Sequence, residues 1–376
     1  MSASAAMREM LSDARRGSLR PIKSGSARFR KESVSPAPGA PPPLRPARIR
    51  SAPAASERLR LRARGLEQRL AREIVGQERA VAAVARAVER AAAGLAASGR
   101  PLANLLFLGR TGTGKTALAE ALAREVSGGG DEALLRIDCG EYALPHEHAR
   151  LIGSPPGFVG HEEGGSLVRA MAEDPDRVVL FDEVEKAHPR MHGVLLSILD
   201  EGALTDGRGR RVSFERAFVV LTSNAGAFEM SAAGRSLGFE RSPALGAERL
   251  SAIAIEALER RFSPELLGRL DETIVFEELD RGSAVRIARR ELRDLAVRSR
   301  RAGFRVAFGR EVAQWIAERG FSPEHGARGI VRTVRSDVEA PLSSWLLDRR
   351  ARAGARRMVW ARARVERDRA VFDEAA

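Results

Sequence analysis

The stretch NLLFLGRTGTGKTALAEALA, residues 104–123, constrains this chain more than any other. Leu105 to Leu108 is an apolar run of strand length, Gly109, Gly112 and Gly114 make a loop, and Lys115 opens a helix rich in alanine and leucine. Between a strand and a helix, the spacing GxxxxGKT fits a phosphate cradle. Its glycines let backbone N–H groups turn onto phosphate oxygens, Lys115 reaches the terminal phosphates, and the Thr116 hydroxyl can hold a magnesium ion. A random chain of this composition would contain the pattern roughly 0.003 times. Of the 63 basic residues 59 are Arg, so a lysine here marks a place where a compact ammonium fits and a planar guanidinium does not. The reading is a nucleoside triphosphate site with a magnesium ion.

The 376 residues suffice for a large domain, a smaller one and a tail. With one cysteine, Cys139, neither an internal disulfide nor a cysteine-rich zinc module is available, and a reducing cytoplasm is the expected compartment. No apolar run approaches the roughly 18 residues of a membrane helix, so no membrane partner is expected. The net charge of +13 is concentrated at the start: residues 1–56 hold 11 Lys and Arg against 3 Asp and Glu. A stretch rich in Pro, Ala, Ser and Arg between Ser33 and Pro53 cannot bury a core, which predicts a disordered leader over 1–56.

Further along, one helical pattern runs from near Glu57 to Ile74, and a second covers roughly residues 78–96. Leu134 to Asp138 reads as a short strand. The segment ARLIGSPPGFVGHEEGG, residues 149–165, is irregular by composition; Gly157 and Gly160 flank the apolar pair Phe158 and Val159, which reads as a loop that touches something apolar in a partner. Val178 to Phe181 reads as a buried parallel strand that delivers Asp182 and Glu183 at its C-terminal end, the edge where open parallel sheets bind ligands. One carboxylate can serve the magnesium shell while the other polarises a water for attack on the γ-phosphate. Another apolar run, Phe218 to Asn224, ends on an amide able to fix the same water, and Thr273 to Phe276 is a fifth. Five short apolar runs separated by helices predict an α/β fold with a five-stranded parallel sheet over 57–276. From 277 to 376 helical patterns dominate, with hairpin-like alternation at Val359 to Phe372.

From about Leu66 to Val371 the chain resembles the second ATPase module of the Clp unfoldases and disaggregases, of the AAA+ class. IVGQ, GRTGTGKT, GSPPGFVGHEEGG, VVLFDEVEKAHP, LTDGRGR, TSN, FSPELLGRLDE and GAR occur in family order. The resemblance implies an AAA+ large domain followed by a small domain of the Clp type. It implies that Gly109, Arg110, Thr111, Gly112, Thr113, Gly114, Lys115 and Thr116 line the triphosphate, that Ile74, Val75 and Ile287 contact adenine, and that Thr116 and Asp182 serve magnesium. Glu183 would be the catalytic carboxylate, Asn224 sensor 1 and Arg328 sensor 2. Arg269 would be the arginine finger given to a neighbour's nucleotide, in a homo-hexamer. The Gly157 to Gly160 loop would line the pore and Phe158 would grip a polypeptide, with Phe where the family has Tyr, His161 for a second aromatic, and Gly268 for an Asn before the finger.

The function so implied is an ATP-driven protein unfoldase or remodelling chaperone. One alternative is a regulatory subunit that feeds a ClpP-like peptidase, for which Leu237, Gly238 and Phe239 resemble the docking tip of ClpA and ClpC. Another, from a different class, is a nucleic-acid remodelling ATPase that uses the basic leader; the GFVG loop argues against nucleic acid as a partner. With no second ATPase module and no Clp N-terminal domain in the sequence, substrate choice is expected to rest on the leader, an adaptor or the pore.

Overall fold

The computed structural model describes residues 53–127, 133–153, 164–226, 229, 252–322, 325–353 and 359–374. The predicted leader over 1–56 falls almost wholly outside them. Residues 52–376 form one compact unit.

All five expected runs are strands of one sheet: β1 (Ala103–Leu108), β2 (Leu134–Asp138), β3 (Val178–Asp182), β6 (Phe218–Ser223) and β7 (Glu272–Val275). Their order is β2-β3-β6-β1-β7 and every pairing is parallel. The runs are continuously apolar because both faces are covered. Leu106, Leu108, Val179, Phe181, Val219 and Leu221 point into one core cluster, while Leu105, Phe107, Val178, Leu180, Phe218 and Val220 point into the other. Helices α1 (Pro53–Ala63), α2 (Leu66–Glu73), α3 (Glu78–Ala92) and α4 (Lys115–Ser127) cover the second face. The first face is covered by α5 (His148–Ile152), α6 (Ser166–Glu173) and α7 (Arg190–Glu201), and a short hairpin, β4 (Ala203–Thr205) with β5 (Arg211–Ser213), extends from the end of α7.

The first helical pattern is two helices rather than one, because Gly65 between them takes a left-handed conformation at φ 66°. A short helix α8 (Pro264–Leu267), capped by the Ser263 side chain, precedes β7.

The C-terminal residues build a separate core from α9 (Arg281–Arg301), α10 (Arg310–Gly320), α11 (Ala327–Thr333) and α12 (Ala340–Ala353). The alternating tail is the hairpin of β9 (Val359–Glu366) and β10 (Arg369–Glu374), and it acquires a third strand that the sequence reading did not include, β8 (Phe304–Phe308), paired parallel to β9. Phe304, Val306, Val359, Ala361, Ala363 and Phe372 point from this small sheet onto the helices.

Candidate AAA+ nucleotide site

Because β3, β6 and β1 are neighbours, three loops leave the C-terminal edge of the sheet side by side: the phosphate loop after Leu108, the acidic segment beginning at Asp182, and Asn224. Gly109, Gly112 and Gly114 all have positive φ, at 150°, 81° and 107°, which turns the loop inward at a cost that residues with a Cβ would feel. A Cβ on Gly114 would meet open space, so the loop keeps a clear inner face where a phosphate would approach.

Lys115 is buried at 7% exposure, and its ammonium donates to Gly109 O at 2.6 Å, Arg110 O at 2.9 Å and Asn224 Oδ1 at 2.7 Å. Burial is the main reason its pKa falls to about 8, with the Glu185 and Asp182 charges opposing that fall. Asn224 passes the connection on, donating Nδ2 to Glu183 Oε1 at 3.2 Å, while its N–H donates to Glu185 Oε1 at 3.1 Å. Lys115, Asn224 and Glu183 thus form one hydrogen-bonded chain across three strand ends.

The two acids are held by a residue of the neighbouring strand. Thr222 donates its hydroxyl to Asp182 Oδ1 at 2.5 Å and accepts from the Glu183 N–H at 2.9 Å. Glu183 sits at φ 57°, uncommon for a residue with a side chain and costing on the order of 1–2 kcal/mol, and Lys186 pairs with its other carboxylate oxygen. Thr116 Oγ1 lies 3.4 Å from Asp182 Oδ2, and Arg136 lies 2.6 Å from the same oxygen. A hydroxyl and a carboxylate are hard oxygen donors, and on that chemistry the pair fits a magnesium ion, which would share Asp182 with Arg136. Among the described residues no group of three or more His, Cys, Asp and Glu side chains could hold a metal.

The C-terminal core reaches this loop directly. Ala327 donates its N–H to Gly112 O at 3.0 Å, placing the GAR turn on the loop tip; Arg328 is exposed, and its charge is among those felt by Lys115. A Cβ on Gly112 would collide with the His325 carbonyl oxygen. With its positive φ as well, Gly112→Ala is expected to destabilise the module by about 2–3 kcal/mol, read as a lowered Tm together with a weaker shift of Tm by ATP.

Ile74 belongs to the core cluster beneath β1, whereas Val75 packs against the cluster that contains Ile287, so the three bracket the seam between the two cores. Gln77, which the sequence reading left without a role, is 3% exposed and closes that seam. Its amide donates to Thr113 O at 3.1 Å and Glu277 O at 2.8 Å and accepts from the Glu277 N–H at 3.0 Å. Thr222, Glu185, Arg136 and Lys186 were likewise without roles. For Lys186 a signal existed: of the four lysines in the chain, Lys115 and Lys186 are those among the described residues, and both lie here. Arg110 pairs with Glu278 at 3.0 Å.

Arg269 is not at this site. It lies just before β7, at the opposite edge of the sheet, with its guanidinium 3.0 Å from Asp200. Gly157, Phe158, Val159 and Gly160, and Leu237, Gly238 and Phe239, lie outside the described residues. The stem of the first of these loops is described: Ile152 O accepts from the Gly207 N–H at 3.1 Å, which fastens it to the β4–β5 hairpin.

The sheet order, the phosphate loop after β1, the paired acids after β3 and the C-terminal lobe on the loop tip define an AAA+ ATPase module. Two family models match in succession, an AAA domain (Cdc48 subfamily) over residues 100–273 and the C-terminal, D2-small domain of ClpB protein over residues 279–359. The chain is 44% identical over 287 residues to the chloroplastic chaperone protein ClpD of Arabidopsis thaliana, an alignment covering 75% of this chain and 30% of that protein. It is 44% identical over 287 residues to chaperone protein ClpB of Meiothermus ruber, covering 75% and 32%. With the ATP-dependent Clp protease ATP-binding subunit ClpC of Staphylococcus saprophyticus it shares 39% over 284 residues, covering 75% and 34%. The chain belongs to the Clp family of AAA+ ATPases, and it spans about a third of the length of the curated relatives it matches.

Proposed function

We propose that this chain hydrolyses ATP and uses the energy to thread polypeptides through the pore of a homo-hexamer. The observation that carries the reading is the chain of hydrogen bonds from Lys115 through Asn224 to Glu183, which ties a phosphate-binding cation to a carboxylate able to polarise water. Gly109 to Thr116 cradle the triphosphate, Ile74, Val75 and Ile287 hold the adenine, and Thr116 and Asp182 hold magnesium. The ion, when bound, neutralises charge that develops on the phosphate oxygens. Glu183 draws the proton of the attacking water, Asn224 orients that water, and Arg328 reads the γ-phosphate from the C-terminal lobe. Arg269, at the far edge of the sheet from its own site, serves a neighbouring subunit, which is why the active form is a ring.

Phe158 on the 157–160 loop grips the polypeptide by steric and apolar contact that needs no particular sequence. Replacing Phe158 with Ala is expected to leave ATP hydrolysis within about 3-fold and to reduce unfolding of a fluorescent folded substrate by at least about 10-fold; unchanged unfolding overturns the threading reading. The similarity to a Clp protease ATP-binding subunit supports a second reading, in which Leu237, Gly238 and Phe239 dock on a ClpP-like peptidase. Co-sedimentation with such a peptidase decides between a stand-alone chaperone and a protease subunit. No helix among the described residues is long and apolar enough to cross a membrane, and a cytoplasmic site of action is the simplest reading.

A further inference from the structure

At the edge of the sheet away from the phosphate loop, two side chains tie together the same two carbonyls. Arg100 donates Nε to Leu199 O at 3.0 Å and Nη2 to Arg269 O at 2.6 Å. Asn104, at the start of β1 and 1% exposed, donates Nδ2 to Leu199 O at 3.0 Å and to Arg269 O at 3.1 Å. Next to Leu199, Asp200 faces the Arg269 guanidinium, Oδ1 to Nη1 at 3.0 Å. The backbone beyond is fixed as well: the Asn104 N–H donates to Asp271 Oδ2 at 2.7 Å and the Asp271 N–H to Asn104 O at 2.8 Å.

Satisfying a carbonyl in the last turn of a helix is an ordinary need, and one donor would meet it. Here both donors to Leu199 O also reach Arg269 O, and the following side chain meets the guanidinium. We infer that Arg100, Asn104 and Asp200 are positioning residues for Arg269: they fix its backbone to the end of α7 and aim its side chain toward the nucleotide of an adjoining subunit. The inference rests on the reading of Arg269 as a finger acting in trans. It adds a mechanical link, because α7 begins at Arg190, whose N–H donates to His188 Nδ1 at 3.2 Å just past Glu183 and Lys186. One helix about 18 Å long then joins the acidic segment of a subunit's own site to the finger it offers its neighbour. Arg269 and Asp200 are 39% and 41% exposed, and a pair so open to water holds weakly; the Arg100 and Asn104 bracket therefore sets the position and Asp200 the rotamer.

The test uses the full chain, ATP turnover, and mixing of variants before ATP is added. Arg100→Ala is expected to lower kcat about 10- to 100-fold and Asp200→Asn about 3- to 10-fold, with KM for ATP unchanged, since a displaced catalytic group costs rate more than binding. Subunits carrying Lys115→Met do not turn over but offer an intact finger, so mixing them with Arg100→Ala or Asp200→Asn subunits restores activity at the variants' sites. Arg269→Ala is the control. If Lys115→Met subunits do not restore it, the finger reading fails and the bracket with it. If they restore it, the finger reading stands; normal turnover by both Arg100→Ala and Asp200→Asn, or impaired turnover that mixing does not restore, then overturns the bracket alone. A folding defect would fall in the last class, because a neighbour's finger cannot repair it.

Discussion

Glu183→Gln is expected to lower the kcat of ATP hydrolysis by about 10²- to 10⁴-fold while leaving ATP affinity within a few-fold of the original. The substitution keeps the side chain's size and keeps an amide oxygen in place to accept from Asn224, so the hydrogen-bonded chain from Lys115 survives in form. What it removes is the negative charge, and with it the ability to take a proton from water. Thr222 would still anchor the backbone of residue 183 and the carboxylate of Asp182, so phosphate and magnesium binding are spared. Single-turnover hydrolysis separates the effect from product release, and the slow variant is expected to remain an ATP-bound ring that retains unfolded protein. Equal turnover by variant and parent would remove Glu183 from its role.

Lys115→Met is expected to weaken ATP binding by at least about 100-fold, and its effect on the pH dependence of stability makes the test specific. A buried cation whose pKa is lowered to about 8 is held by the fold at a cost that an incoming anion relieves. The folded protein binds fewer protons than the unfolded one between about pH 8 and the ordinary lysine value of 10.5, so this group makes stability rise with pH through that window. Replacing it with an apolar chain of similar length removes that cost but also leaves Gly109 O, Arg110 O and Asn224 Oδ1 without their donor, two opposing effects on Tm without ATP. The expected results are loss of the rise of Tm with added ATP and a flatter stability difference between pH 8 and 10. A rise of Tm with added ATP that survives in the variant sinks the assignment.

The sheet was readable because a parallel strand buried on both faces must be apolar without a break, as in Val178 to Phe181, and the site because ligands collect where such strands end. Asp182, Glu183 and Asn224 follow from that rule. Strand β8, FRVAF, alternates as a half-buried strand should, but it is five residues long and its partner lies some fifty residues on, so no local signal separates it from a turn after α9. The division of the first helical pattern needed only Gly65, whose left-handed conformation is a common break. Thr222, Arg136 and Lys186 acquire their roles from neighbouring strands and turns that spacing in the chain does not announce. The arrangement that holds Arg269 has the same origin, since Arg100 and Asn104 meet it across about 165 residues.

Gln77 carries a consequence for how the module comes apart. Its amide engages segments 36 and 200 residues away, one in the phosphate loop and one at the start of the C-terminal lobe. Peeling the lobe back past Glu277 would break two of the amide's three hydrogen bonds, each worth about 0.5–1.5 kcal/mol net. Partial melting at the seam is thereby penalised, and this amide couples the unfolding of the nucleotide-binding layer to that of the lobe.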